Sequence, residues 1–137
     1  MNTNDDVVNF GKLCQKEGID YSFIQGNDLN IEIEEVDCIF IDTWHVYGQM
    51  KRELEKFHSK AKKWIILHDT TIDENIGESI RSGFNISQQM KETGFSYMEI
   101  YAGIWPAVLE FLNSHPEFIL EKRYTNCNGL TILKRIN

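Results

Sequence analysis

The chain has 137 residues, enough for one domain with its own core and too few for two. Hydrophobic residues make up 42% and charged residues 26%, ordinary for a globular protein, and the net charge of −7 argues against nucleic acid as the main partner. Basic residues are scattered, with small clusters only at Lys60–Lys63 and Lys134–Arg135.

No run approaches the ~18–20 apolar residues of a membrane span, and the start Met-Asn-Thr-Asn-Asp-Asp has neither the basic opening nor the apolar stretch of a secretory signal. A cytoplasmic chain with no membrane association is the expectation. Cys14, Cys38 and Cys127 are odd in number and have no Cys-x-x-Cys spacing, which fits reduced thiols. Cys38 lies in an apolar run and is expected in the core.

Asn4, Asp5 and Asp6 predict a helix start. Val7, Val8, Phe10, Leu13 and Cys14 follow at helical spacing, with Gly18 as the C-cap. Tyr21–Ile24 reads as a short strand ending at the turn cluster Gly26-Asn27-Asp28. Val36–Ile41 is a nearly continuous apolar run of the kind that suits a strand buried on both faces. Residues 46–60 switch to helical period, with Tyr47, Met50, Leu54 and Phe57 on one side and Lys51, Arg52, Glu55 and Lys56 on the other. Trp64–Leu67 is a second buried-type strand, ended by His68-Asp69-Thr70-Thr71.

Gly77, Gly83 and Gly94 interrupt residues 72–100, where only a helix near 85–93 is supported. Pro106 sits at the first turn of a helix reaching about Asn113, with Trp105, Val108, Leu109 and Leu112 on its apolar side. Phe118–Tyr124 and Leu130–Arg135 flank Asn126-Cys-Asn-Gly129 and predict an antiparallel hairpin. Helices alternating with buried strands give an α/β domain with a mostly parallel sheet, read as a single unit over residues 1–137.

In open α/β sheets ligands gather at the C-terminal ends of the strands. One strong strand here ends in Asp42-Thr-Trp-His45 and the other in His68-Asp69-Thr70. If the strands are parallel neighbours, Asp42 and Asp69 face one crevice. Paired carboxylates with nearby hydroxyls suit a hard divalent ion such as magnesium, and His45 or His68 turned inward would favour a softer one. Each acid also precedes a helical stretch, where it could simply cap free backbone amides. Residue chemistry leaves both readings open. His58 and His115 lie on polar helix or loop segments and read as solvated. Tyr97, Tyr101 and Trp105 read as core residues or as the lining of an acceptor site.

The segments Val36-Asp-Cys-Ile-Phe-Ile-Asp-Thr-Trp-His-Val-Tyr47 and Trp64-Ile-Ile-Leu-His-Asp-Thr70 resemble strands four and five of class I S-adenosylmethionine-dependent methyltransferases. The resemblance is to the branch carrying Asp-x-x-His-x-Tyr and His-Asp-Thr motifs. Gly103–Leu112 and Tyr124–Leu133 resemble that branch's last helix and closing hairpin, so the likeness runs from about residue 20 to the end.

The resemblance implies a truncated Rossmann-like sheet and O-methyl transfer to a small hydroxylated, sugar-like substrate. It implies Asp42 and Asp69 as magnesium ligands. Thr70 stands at the third metal position, where the family usually has Asn or Asp. His45 stands where the metal-dependent members keep a catalytic lysine, and an imidazole there suits general-base chemistry. His68 is a second candidate catalytic group. Trp44 matches a tryptophan that packs on S-adenosylmethionine, and Gly26, Asn27 and Asp28 occupy the turn bordering its adenine.

The family opens with a strand ending in an acidic-x-Gly-x-Gly-x-Gly loop, whose glycines let the backbone approach the cofactor. None of the nine glycines here forms such a loop, and both strands that flank it in the family are missing. The chain therefore matches the C-terminal two-thirds of that domain.

The family's strand order is 3-2-1-4-5-7-6. Without strands one and two, residues 36–41 have an open edge that invites pairing. The expectation is that strand three moves in beside them, or that a second copy or partner chain covers them. Two alternatives remain: a non-catalytic relative acting as a binding or assembly module, and a metal-dependent hydrolase using Asp42, His45, His68 and Asp69.

Overall fold

The computed structural model describes residues 4–137, which divide into a first compact unit ending at Ile31 and a second spanning Glu32–Asn137. In the first unit, α1 (Asn4–Lys16) carries Asp5 and Asp6 in its first turn and Lys16 in its last, the charge order that complements the helix dipole. Gly18 follows with φ +69°, as expected for a residue just past a helix end.

Residues 21–24 are not a strand: they have no ladder partner and run as irregular chain. Phe10 instead meets Tyr21 edge-on, with ring centroids 5.1 Å apart. The turn at Gly26 leads into a short 3-10 helix, Asp28–Asn30, capped by Asn27.

The second unit is an α/β domain built on one four-stranded mixed sheet. Its strands are β1 (Val36–Ile41), β2 (Ala61–His68), β3 (Phe118–Tyr124) and β4 (Leu130–Arg135), in spatial order β1-β2-β4-β3. β1 and β2 are parallel, whereas β4 runs antiparallel to both β2 and β3. Only one pair is parallel, so the expected mostly parallel sheet becomes a mixed one.

The helices are α2 (Tyr47–Phe57), α3 (Glu78–Arg81), α4 (Ile86–Thr93), α5 (Tyr97–Tyr101) and α6 (Trp105–Ser114). The region that was hard to read in sequence holds α3 and α5, both shorter than two turns, around the expected α4. α5 starts on a capping box in which Ser96 and Glu99 satisfy each other's backbone amides. Among the described residues no helix is long and apolar enough to cross a membrane.

The core lies where α2 and α6 cover the sheet: Met50 and Leu54 of α2, Ala107, Val108 and Phe111 of α6, Ile65 and Leu67 of β2, and Leu133 of β4. On α6 the buried side includes Phe111, while Leu109 is 51% exposed, so the apolar face is rotated from the expected Leu109 side.

β1 departs from expectation in burial. It pairs with β2 alone, and Val36, Cys38 and Phe40 are exposed while Ile41 is buried. β1 is an edge strand covered on one face only, with Val36, Cys38 and Phe40 on the open face. Cys38 is thus not a core residue.

The connection after β2 folds back over the strand ends. Ile104 and Trp105 donate to the carbonyls of Asp73 and Glu74 at 2.9 and 3.0 Å, and Gly103 donates to Asn75 at 3.0 Å. A Cβ at Gly103 would strike the Asp73 carbonyl and come within 2.6 Å of the Glu74 oxygen. The β3–β4 turn braces the same connection, since Thr71 donates to Asn128 at 2.8 Å. Gly129, at φ +100°, lets the turn pass where a Cβ would sit 2.5 Å from the Thr71 nitrogen.

Gly103→Ala should therefore lower stability by about 1–3 kcal/mol, the usual cost of forcing an extra methyl into packed surroundings. Urea unfolding would read this as a lower midpoint with an unchanged slope.

Candidate functional site: an imidazole among carboxylates

Parallel pairing sets Ile41 level with Leu67, so Asp42 and His68 leave the sheet side by side. Asp69 comes next with φ +55°, a left-handed backbone that Asp adopts more readily than most residues. This turn carries the chain from β2 into the connection. His45 enters from the other strand, three residues past Asp42, just before the N-terminus of α2.

The result is a buried imidazole, 7% exposed, surrounded by acids. Its Nε2 lies 3.2 Å from Asp42 Oδ1. Its Nδ1 lies 3.2 Å from Asp73 Oδ2, 3.4 Å from Asp69 Oδ2 and 3.7 Å from Glu78 Oε2. The backbone ties the same pieces together, because the Glu78 amide donates to the His45 carbonyl at 2.9 Å and the His45 amide to Glu78 Oε2 at 3.3 Å.

Asp73 is fully buried and held by Arg81, whose Nε and Nη2 donate to its two oxygens at 2.6 and 3.1 Å. Hydrogen bonding to Asp73 raises the Arg81 pKa further above its ordinary value. Sequence reading missed Asp73, Glu78 and Arg81. The available signal was weak: Asp73 follows Asp69 by four residues in a stretch without clear periodicity.

Beside the imidazole, Asp42, His68 and Asp69 each present one ligand atom within 4.8 Å of the others. His68 Nδ1 is 3.1 Å from Asp69 Oδ1 and 3.6 Å from Asp42 Oδ2. Neither His68 Nδ1 nor Asp69 Oδ1 has a hydrogen-bond partner, although both atoms are buried from solvent. Orphaned buried polar atoms that face one another suit a shared cation. Two carboxylates and one imidazole form a mixed donor set that extends from magnesium and manganese toward zinc.

The remaining expected residues fall elsewhere. Thr70 is fully buried, and its hydroxyl accepts from Thr131 at 2.9 Å, so its oxygen is turned into the core. Trp44 stacks on Phe95 with centroids 5.8 Å apart and donates its indole N–H to Ser79 at 2.8 Å. It lines a pocket of about 270 Å³ with Glu78, Phe84, Gln89, Glu92 and Thr93.

Gly26, Asn27 and Asp28 belong to the first unit, where Asn27 and Asp28 side chains both accept from the Leu29 amide. Tyr97 and Tyr101 stack on each other at the surface, and Trp105 lies beneath the Arg123 guanidinium at 3.5 Å.

A backbone cradle for S-adenosylmethionine is not evident among the described residues. A Cβ at Gly48, Gly77 or Gly103 would strike the protein's own atoms, so these glycines serve packing. Gly83 and Gly94 have open space, but each takes positive φ beside a short helix rather than in a glycine-rich loop. The residues present fit a divalent cation and do not fit the methionine end of the cofactor.

Arg81→Met should cost roughly 3 kcal/mol, because it leaves the buried Asp73 carboxylate without its charge partner. Pairing it with Asp73→Asn should recover much of the loss in thermal unfolding, whereas additive losses would mean the two side chains act independently.

Comparison with known proteins gives no match among family models, curated proteins or solved structures.

Proposed function

We propose that the second unit is the metal- and acceptor-binding part of an O-methyltransferase-like protein, in which Asp42, His68 and Asp69 hold a divalent cation and His45 accepts a hydroxyl proton. The observation that carries this reading is the cation-competent cluster beside His45 at the C-terminal ends of two parallel strands. The strand order supports it as well: β1-β2-β4-β3 matches the 4-5-7-6 half of the Rossmann-like sheet implied by the resemblance.

A cation held by Asp42, His68 and Asp69 would supply charge that favours approach of an acceptor hydroxyl and loss of its proton. The chain's own residues then define the base. Asp73, Asp69 and Glu78 all lie on the Nδ1 side of His45, which directs the ring proton there. Asp42 is the acid next to Nε2, and once its charge is committed to a cation, Nε2 is the nitrogen left to accept a proton. A pocket of about 470 Å³ beside His68, lined by Tyr124, Cys127, Leu130 and Ile132, is of a size for a small hydroxylated acceptor. The grip on a methyl donor is not built from these residues, so no transfer step is derived. The exposed β1 edge offers a place for a second copy or partner chain, and three free thiols fit a cytoplasmic setting.

A second reading is metal-dependent hydrolysis, favoured by the imidazole of His68 in the ligand set. A softer ion on Asp42, His68 and Asp69 could activate water, with His45 again as base.

Titration calorimetry with manganese should give one site, and Asp42→Asn should weaken it at least tenfold; unchanged affinity would overturn the assignment. A second titration uses S-adenosylhomocysteine, with and without magnesium. Low-micromolar binding supports the methyltransferase reading, whereas no binding combined with manganese-dependent ester or phosphoester cleavage supports the hydrolase.

A further inference from the structure

At the opposite end of the sheet, the C-termini of α2 and α6 come together. His58 is the C-cap of α2 and His115 the C-cap of α6. Glu55 lies one turn before His58, so both project from the same side of α2. The two imidazole rings are 4.4 Å apart between centroids. β2 separates this place from the His45 centre: His58 precedes its first residue by three, and His68 is its last. Eight strand residues at ~3.3 Å each keep the two regions roughly 25 Å apart.

We propose that Glu55, His58 and His115 form a second, independent site for a zinc-class divalent ion that ties the end of α2 to the end of α6. One ligand atom from each residue lies within 4.8 Å of the others. His115 Nε2 and Glu55 Oε1 are already 3.8 Å apart, and a tetrahedral zinc site has ligand–ligand separations of ~3.3 Å. The exposed Glu55 side chain closes that gap with a small rotation.

The tautomer of His115 is arranged for coordination. Its Nδ1 lies 3.1 Å from the Phe111 carbonyl, an acceptor that fixes the proton on Nδ1 and leaves the Nε2 lone pair facing Glu55. His58 Nδ1 is buried with no hydrogen-bond partner and lies 3.6 Å from Glu117 Oε1. Both helix ends bring the negative pole of their dipoles to the same spot. Arg135 donates to the His58 carbonyl at 2.6 Å, so its charge is directed at the backbone rather than at the imidazoles.

The competing description is aromatic packing alone. His115 stacks on Phe111 at 4.3 Å and His58 meets the same ring edge-on at 5.9 Å, contacts that need no metal.

The test is zinc titration of the full chain carrying Asp42→Asn, which weakens the site beside His45 at least tenfold and so separates the two affinities. One zinc equivalent should bind in the micromolar range or tighter and resist excess magnesium. Adding His115→Gln should abolish it. If that variant fails to fold, Glu55→Gln, at an exposed position, should weaken binding at least tenfold with an unchanged circular dichroism spectrum. Absence of zinc binding to the Asp42→Asn protein, or binding that survives both further substitutions, would overturn the proposal in favour of packing.

Discussion

Gathering four carboxylates around one buried ring is the constraint that organises the second unit. Like charges at such distances repel strongly wherever water is scarce, so the arrangement calls for opposing charge and for polar groups set between the acids. Arg81 supplies charge by engaging Asp73 with both of its donors, and the imidazole sets its two nitrogens between acids on either side. The connection that carries these acids is fastened at many points, to α6 through Ile104 and Trp105, to the hairpin turn through Thr71, and to His45 through Glu78. Backbone bonds thus hold in place an electrostatic arrangement that side chains alone would let spread apart.

The sheet gathers ionisable side chains at both of its ends by different means. At one end, parallel register delivers residues from β1 and β2 into a single cluster. At the other, helix termini converge because α2 and α6 pack side by side over the same core. The first mechanism gives a cluster rich in acids, the second a pair of imidazoles flanked by glutamates.

Strong periodicity made most of the second unit legible. Both parallel strands, α2, α4, α6 and the hairpin follow from residue spacing, and Asp42, His45, His68 and Asp69 lie together at the strand ends. The misreadings share a cause. The open edge of 36–41 is expected, but its apolar run suggests cover on both faces, whereas the face bearing Val36, Cys38 and Phe40 is left exposed. Tyr21–Ile24 has strand-like composition without a ladder to join. Asp73, Glu78 and Arg81 escaped because α3 has only four residues, too few to leave a period, and because residues eight apart touch only when the chain between them turns back. Thr70 sits next to a candidate ligand in sequence, yet consecutive residues point in different directions, and its hydroxyl joins Thr131 inside.

The left-handed backbone at Asp69 reaches beyond its geometry. Only glycine, asparagine and aspartate enter that conformation readily, so the position admits few residue types for steric reasons alone. Two demands, one conformational and one chemical, therefore fall on a single side chain. A related chain with no use for an ion there would still be pressed to keep Asp, Asn or Gly. An acid at this point is thus weak testimony to any activity, whereas an acid at position 42, where the backbone makes no such demand, would be the stronger witness.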